Sequence, residues 1–178
     1  MSQQVVFLHG PAAAGKHTVG TRVAERLGLP LWHNHLTVDL VKTLFEFGTD
    51  EFIALRESIW QTTFAAAAKA GRSFVFTFNP EATVRRTLID ELQAAVQRAG
   101  GQVLYVELIC SDAEVQARIA NPSRAQFGKL TDAALYRQLK AQGSFAFAPL
   151  PPAIVSVDTE QLQPDEAADV IVAAIENV

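Results

Sequence analysis

Gly10-Pro11-Ala12-Ala13-Ala14-Gly15-Lys16-His17-Thr18 separates two segments of different hydrophobic period. Before it, Val5 to Leu8 is a short apolar run that stops at His9-Gly10. After it, Val19, Val23 and Leu27 recur at i, i+4 and i+8, and Gly28 follows as a helix stop. The order is buried strand, small-residue loop, amphipathic helix. Glycine and alanine keep the loop free of bulk, so successive backbone N–H groups can converge on phosphate oxygens. The helix N-terminus adds the positive end of its dipole and Lys16 a full charge. The glycine and lysine spacing is that of a P-loop, and it points to a polyphosphate ligand held between Gly10 and Thr18.

Outward from the loop, apolar strands and amphipathic helices alternate. Leu29 to His33 reads as a second strand, and Asn34 as the cap of a helix carrying Val38, Leu40, Val41 and Leu44 up to Gly48. Thr49 caps the next helix, with Phe52, Leu55, Ile59 and Phe64 along it and Gly71 after it. Ser73 to Phe78 is a strand, followed by a helix for which Asn79-Pro80-Glu81 supplies cap, proline and acid. Val103 to Ile109 is another strand, and Ser111 with Glu114 opens a helix that stops near Asn121-Pro122. The polar stretch from Ser123 to Lys129 reads as a flap, with a further helix capped by Thr131. The prolines of the stretch from Phe145 to Pro152 precede a last strand, Ala153 to Val157, and a final helix through Ala167, Ile171 and Ile175. Continuous apolar strands between amphipathic helices predict a parallel α/β sheet covered on both faces, with ligands at the strand carboxyl ends. That places His9, His33, Asn79, Cys110 and Asp158 on one rim.

Composition narrows the function. In 178 residues, 49% apolar and 19% charged, there is enough hydrophobic material for one well-cored domain spanning 1–178. The formal net charge of −4 leaves no basic footprint for a nucleic-acid backbone. With Cys110 as the sole cysteine, an internal disulfide and a cysteine-rich zinc site are excluded. The N-terminus lacks a signal-peptide pattern and no apolar run is long enough to span a bilayer, so a cytoplasmic protein without membrane partners, monomeric or homodimeric, is expected.

The loop, together with the segment His33-Asn34-His35-Leu36-Thr37-Val38-Asp39-Leu40-Val41, resembles P-loop small-molecule kinases of the shikimate-kinase and adenylate-kinase type. It is similar in particular to kinase-like proteins carrying GPxAxGKxT and HNHLTVDLV. The resemblance implies a three-layer fold with a five-stranded parallel sheet of order 2-3-1-4-5. It also implies an acceptor-binding helical region over 34–70 and an arginine-bearing lid over 121–131. ATP and Mg2+ are the implied cofactors, and the implied activity is transfer of a γ-phosphoryl group to a small hydroxylated or anionic acceptor.

Lys16, Asp39 and Arg124 are then the expected catalytic groups, with Arg118 and Asp158 beside the base. A carboxylate at Asp39 could organise a metal water or the acceptor hydroxyl, or serve as a first-turn acid for its helix. His33 and His35 join Asp39 in a polar acceptor rim, and Arg56 suits an anionic acceptor through its guanidinium fork. Arg124 would stabilise charge on the transferring phosphoryl group from a closing flap.

Two departures qualify the resemblance. His17 stands where a Ser or Thr hydroxyl normally binds magnesium, which prefers oxygen ligands. The strand Phe74 to Phe78 ends in Asn79 rather than an aspartate, and Thr77-Phe78-Asn79-Pro80 replaces the glycine-rich run of shikimate kinases. A nucleotide-binding module without catalysis and an antibiotic-modifying phosphotransferase are the alternative readings.

Overall fold

A computed structural model of the chain describes residues 2–121 and 132–178. The elements in order are β1 (Gln4–His9), α1 (Lys16–Leu27), β2 (Leu31–His33), α2 (His35–Lys42), α3 (Asp50–Lys69) and β3 (Phe74–Phe78). They continue with α4 (Arg86–Arg98), β4 (Gln102–Ile109), α5 (Asp112–Ile119), α6 (Ala133–Ala141), β5 (Val155–Asp158) and α7 (Pro164–Glu176). The five strands form one sheet in the order β2-β3-β1-β4-β5, and every neighbouring pair is parallel. This is the three-layer P-loop α/β fold that the resemblance implies.

Strand alternation explains the layers. On β1, Val6 and Leu8 face a cluster built with Val19 and Val23 of α1 and Ala167 and Ile171 of α7. Val5 and Phe7 face the opposite cluster, built with Trp60 and Phe64 of α3 and Leu88, Leu92 and Val96 of α4. That second layer is largely aromatic: Phe76 lies 5.3 Å from Phe7, 5.3 Å from Phe64 and 5.7 Å from Trp60, ring centre to ring centre. Each such buried ring contributes roughly 1.5–3 kcal/mol through burial alone. With both faces covered, the strands read as continuous apolar runs.

Several helix signals in the sequence operate as expected, although Asn34, which precedes α2, makes no side-chain cap bond. The Thr49 side chain accepts from the Phe52 amide, and Ser111 accepts from the Glu114 amide. Gly28 closes α1 in the left-handed conformation. Several boundaries differ, and β2 begins at Leu31 rather than Leu29. α2 ends at Lys42 rather than continuing to Gly48, and β5 is Val155–Asp158. Asp132 caps α6 through bonds from the Ala134 and Leu135 amides, whereas Thr131 lies outside the described residues.

The largest difference is at α4, which begins at Arg86 and not after Asn79-Pro80-Glu81. Tertiary bonds hold the intervening segment as a loop. Arg56 of α3 donates to the Glu81 carboxylate and, from Nη2, to the Thr83 carbonyl at 2.8 Å. Glu57 of α3 takes the Arg85 amide at 2.9 Å, and the Ala82 amide donates to the Ser144 carbonyl at 2.9 Å. Backbone groups that would have closed helical turns are bonded elsewhere.

Candidate active site

The loop between β1 and α1 owes its shape to a few backbone positions. Gly10 has φ +154°, and a Cβ placed there would meet the Leu108 carbonyl oxygen at 2.4 Å. Ala13 and Gly15 have φ of 62° and 83°, so the chain folds back on itself before α1, with the Val19 amide donating to the Gly15 carbonyl at 2.9 Å. Lys16 Nζ lies along this loop and donates to the carbonyls of Gly10, at 2.8 Å, and Pro11, at 2.6 Å. It also reaches Asn79 Oδ1 at 3.3 Å, which ties the loop to the end of β3.

A cavity of about 940 Å³ opens over this loop at the carboxyl ends of the strands. Because β1 is central, the two sheet edges supply separate walls. On the β5 side stand Arg118, Thr159, Leu162 and Pro164; on the β2 side, His33, Asn34, His35, Val38 and Lys42. Asn79, Glu81 and Thr83, from the loop after β3, complete the lining near Lys16.

The loop residues Ala12, Ala13, Gly15, Lys16, His17 and Thr18 line this cavity as the sequence predicts, whereas Gly10, Pro11 and Ala14 shape the backbone without lining it. Arg118 also lines it. Its Nε donates to Glu114 Oε1 at 2.7 Å, Nη1 to Thr159 Oγ1 at 3.0 Å and Nη2 to the Thr159 carbonyl. This fork fixes α5 against the turn after β5. Asp158 is not part of the lining: its carboxylate accepts from the Glu160 amide at 2.9 Å, and the neighbouring Thr159 takes the cavity-facing place.

On the β2 side, His33 and His35 line the cavity, and the His17 ring stands edge-on to His33, 4.6 Å between centres. Asp39 does not join them. It lies on the exposed side of α2, with 57% of its side chain accessible and His35 Nδ1 4.0 Å away. Arg56 departs further from expectation. It is completely buried, stacked over Phe52 and Trp60 at 5.4 and 5.1 Å, with Nη1 and Nη2 donating to Glu81 and Thr83 and Nε left without a partner among the described residues. Burial pulls its pKa down, opposed by the nearby carboxylates of Glu81 and Glu57. It therefore offers no fork to an acceptor in the cavity. Arg124 and the flap over 123–129 lie outside the described residues.

Among the rim residues, His9 is buried, and burial depresses its pKa against the opposing influence of Glu107. Cys110 is partly buried, which pushes its thiol pKa up, away from an activated thiolate. Neither lines the cavity.

Sequence reasoning passed over Glu81 and Thr83, and met Thr159 only as part of the Asp158-Thr159 turn beside the base. A signal for the first two was present in α3. Phe52, Arg56, Trp60, Phe64 and Ala68 recur every four residues and are all buried. A charge on such a stripe requires a buried partner, and Glu81 is that partner.

The P-loop, the sheet order and this cavity agree with a sequence comparison, in which the AAA domain profile matches residues 5–143. The chain belongs to the AAA domain family. Solved structures similar to this AAA domain include a sugar kinase from a Janibacter species, 19% identical, with a TM-score of 0.68 over 98% of this chain and 95% of that one. The APS kinase of Mycobacterium tuberculosis is 15% identical, with a TM-score of 0.67 over 98% of each chain. Shikimate kinase from Acinetobacter baumannii is 19% identical, with a TM-score of 0.54 over 98% of this chain and 94% of that one. At these identities the AAA domain shares their fold. No curated protein sequence matches it.

Proposed function

We propose that this AAA domain is an ATP-dependent phosphotransferase that moves the γ-phosphoryl group to a small hydroxylated acceptor. The observation that carries the reading is the placement of the Lys16 loop in the middle of the cavity. Arg118 and Thr159 stand on one side, where a base would lie. A second polar wall of Asn34, His35, Glu81 and Thr83 stands on the other, where an acceptor would lie. The sugar, APS and shikimate kinases that share the fold support it.

The loop fits a polyphosphate. Its positive-φ turn at Ala13 and Gly15 leads directly into the N-terminus of α1, and Lys16 is within a side-chain movement of any phosphate held there. Phosphate oxygens would replace the Gly10 and Pro11 carbonyls as partners of its ammonium group, orienting the γ-phosphoryl and drawing off developing charge.

The residues fit Mg2+ poorly. His17 presents an imidazole packed on His33 where a hydroxyl ligand is usual, and no group of three His, Cys, Asp or Glu among the described residues could hold a metal. A magnesium ion would arrive on the nucleotide, held by phosphates and waters.

Calorimetric titration of ATP and ADP into wild type and Lys16→Ala, with and without magnesium, tests the reading. Micromolar affinity for wild type and at least a tenfold loss in the variant are expected. ATP affinity without transfer to any acceptor or to water would favour the nucleotide-binding module, and absence of binding would end the phosphotransferase reading.

A further inference from the structure

Glu81 is the one acidic side chain that lines the cavity among the described residues. It is held there by a buried apparatus. Its Oε1 accepts from Arg56 Nη1 and from Thr83 Oγ1, the latter at 2.9 Å, and Arg56 is itself clamped by the Thr83 carbonyl and two aromatic rings. No described residue donates to Oε2. With 13% of the side chain accessible and the rest buried, Glu81 has a fixed orientation and one oxygen left for a ligand. Two residues earlier, Asn79 touches the ammonium of Lys16, so the loop that presents Glu81 also touches the phosphate site.

From this arrangement we infer that Glu81 is the carboxylate that receives the acceptor, and that the acceptor meets it with a hydroxyl or an ammonium rather than an acid group. The inference rests on the phosphotransferase reading and deepens it. A guanidinium at this wall would select an anion, but the Arg56 charge is already spent on Glu81, and the face shown to the cavity is a hydrogen-bond acceptor. A carboxylate or phosphate on the acceptor would stand against a like charge in a partly desolvated site. A hydroxyl donates to Oε2 and is thereby aimed.

In the transfer, the hydroxyl oxygen forms a bond to the γ-phosphorus while its proton passes to Glu81 Oε2. The bond from the γ-phosphorus to the β–γ bridging oxygen breaks, and ADP leaves with that electron pair. Glu81 afterwards returns the proton to solvent. Arg56 is a positioning residue in this scheme. Its charge holds Oε1 in place and leaves Oε2 free.

The test does not depend on knowing the natural acceptor, because water can occupy the hydroxyl's place. ATP hydrolysis and ATP affinity are measured for wild type and Glu81→Gln at neutral pH, alone and with a panel of glucose, inositol and glucosamine against gluconate and glucuronate. Glu81→Gln keeps an oxygen for Arg56 and Thr83. It is expected to leave the ATP Kd within twofold and to lower turnover at least tenfold. Neutral or aminated compounds are expected to be turned over in preference to the sugar acids. Should Glu81→Gln not fold, the double variant Arg56→Met, Glu81→Gln removes both buried charges together and carries the same expectation. A wild-type rate in a folded, ATP-binding variant overturns the assignment of Glu81, as does preference for the sugar acids. A wild type that fails to bind ATP, or that binds it and transfers phosphate neither to water nor to the panel, strikes instead at the phosphotransferase reading.

Discussion

Arg56→Met removes a completely buried positive charge while keeping most of the side chain's length between Phe52 and Trp60. The methionine stem preserves much of the apolar contact, so the loss is concentrated in what the guanidinium leaves behind. Glu81, with only 13% of its side chain accessible, retains Thr83 Oγ1 but no countercharge, and the Thr83 carbonyl loses its donor. Stripping one partner from a buried pair costs about 3–5 kcal/mol. For a chain of this size that corresponds to a fall of about 10 °C in Tm. The double variant Arg56→Met, Glu81→Gln leaves no uncompensated charge and should return to within about 1–2 kcal/mol of wild type. The double variant is thus expected to be about 2–3 kcal/mol more stable than Arg56→Met alone. Urea unfolding followed by the fluorescence of Trp32 and Trp60, the latter buried against Arg56, reads both values. An Arg56→Met variant within 1 kcal/mol of wild type, or a double variant no more stable than the single one, would show that the pair does not hold the loop after β3.

Two other perturbations bear on the site. Gly10→Ala should lower stability by about 2–3 kcal/mol and weaken ATP binding, because its Cβ would meet the Leu108 carbonyl oxygen at 2.4 Å in a backbone conformation that L-residues avoid. Unchanged thermal stability would mean that β1 and β4 separate freely at this end. For His9, burial holds the folded pKa below the ordinary 6.5, so the unfolded chain takes up a proton that the folded chain resists. Its contribution to stability is full above pH 6.5 and is lost as pH falls from there through the lowered folded value. His9→Gln should flatten this part of the stability profile, and an unaltered difference between pH 7.5 and 5 would disprove the assignment.

Much of the architecture is legible in the sequence because its causes are local. The switch from a strand run to a 3.6-residue period around Gly10 to Thr18 specifies strand, loop and helix. The caps at Thr49 and Ser111 need only their own neighbours. The alternation of apolar strands with amphipathic helices specifies a covered parallel sheet, and the resemblance to small-molecule kinases supplies the strand order that the structure shows. The walls of the cavity depended on more than local rules.

The sequence alone therefore determined the phosphate loop, since small residues, a following helix and one lysine suffice to make it. It could not determine which charged groups face the cavity, because that depends on partners distant along the chain. Asp39 reads as a site acid but falls on the exposed side of α2, while Val38 one residue before turns inward. Arg56 reads as an anion fork but lies under Phe52 and Trp60, bonded to a residue 25 positions away. Asn79-Pro80-Glu81 reads as a helix start, yet α3 captures the carboxylate of Glu81, the carbonyl of Thr83 and the amide of Arg85. A buried guanidinium must find an acceptor wherever the fold brings one within reach, and that demand outweighs the local preference of the segment it takes hold of.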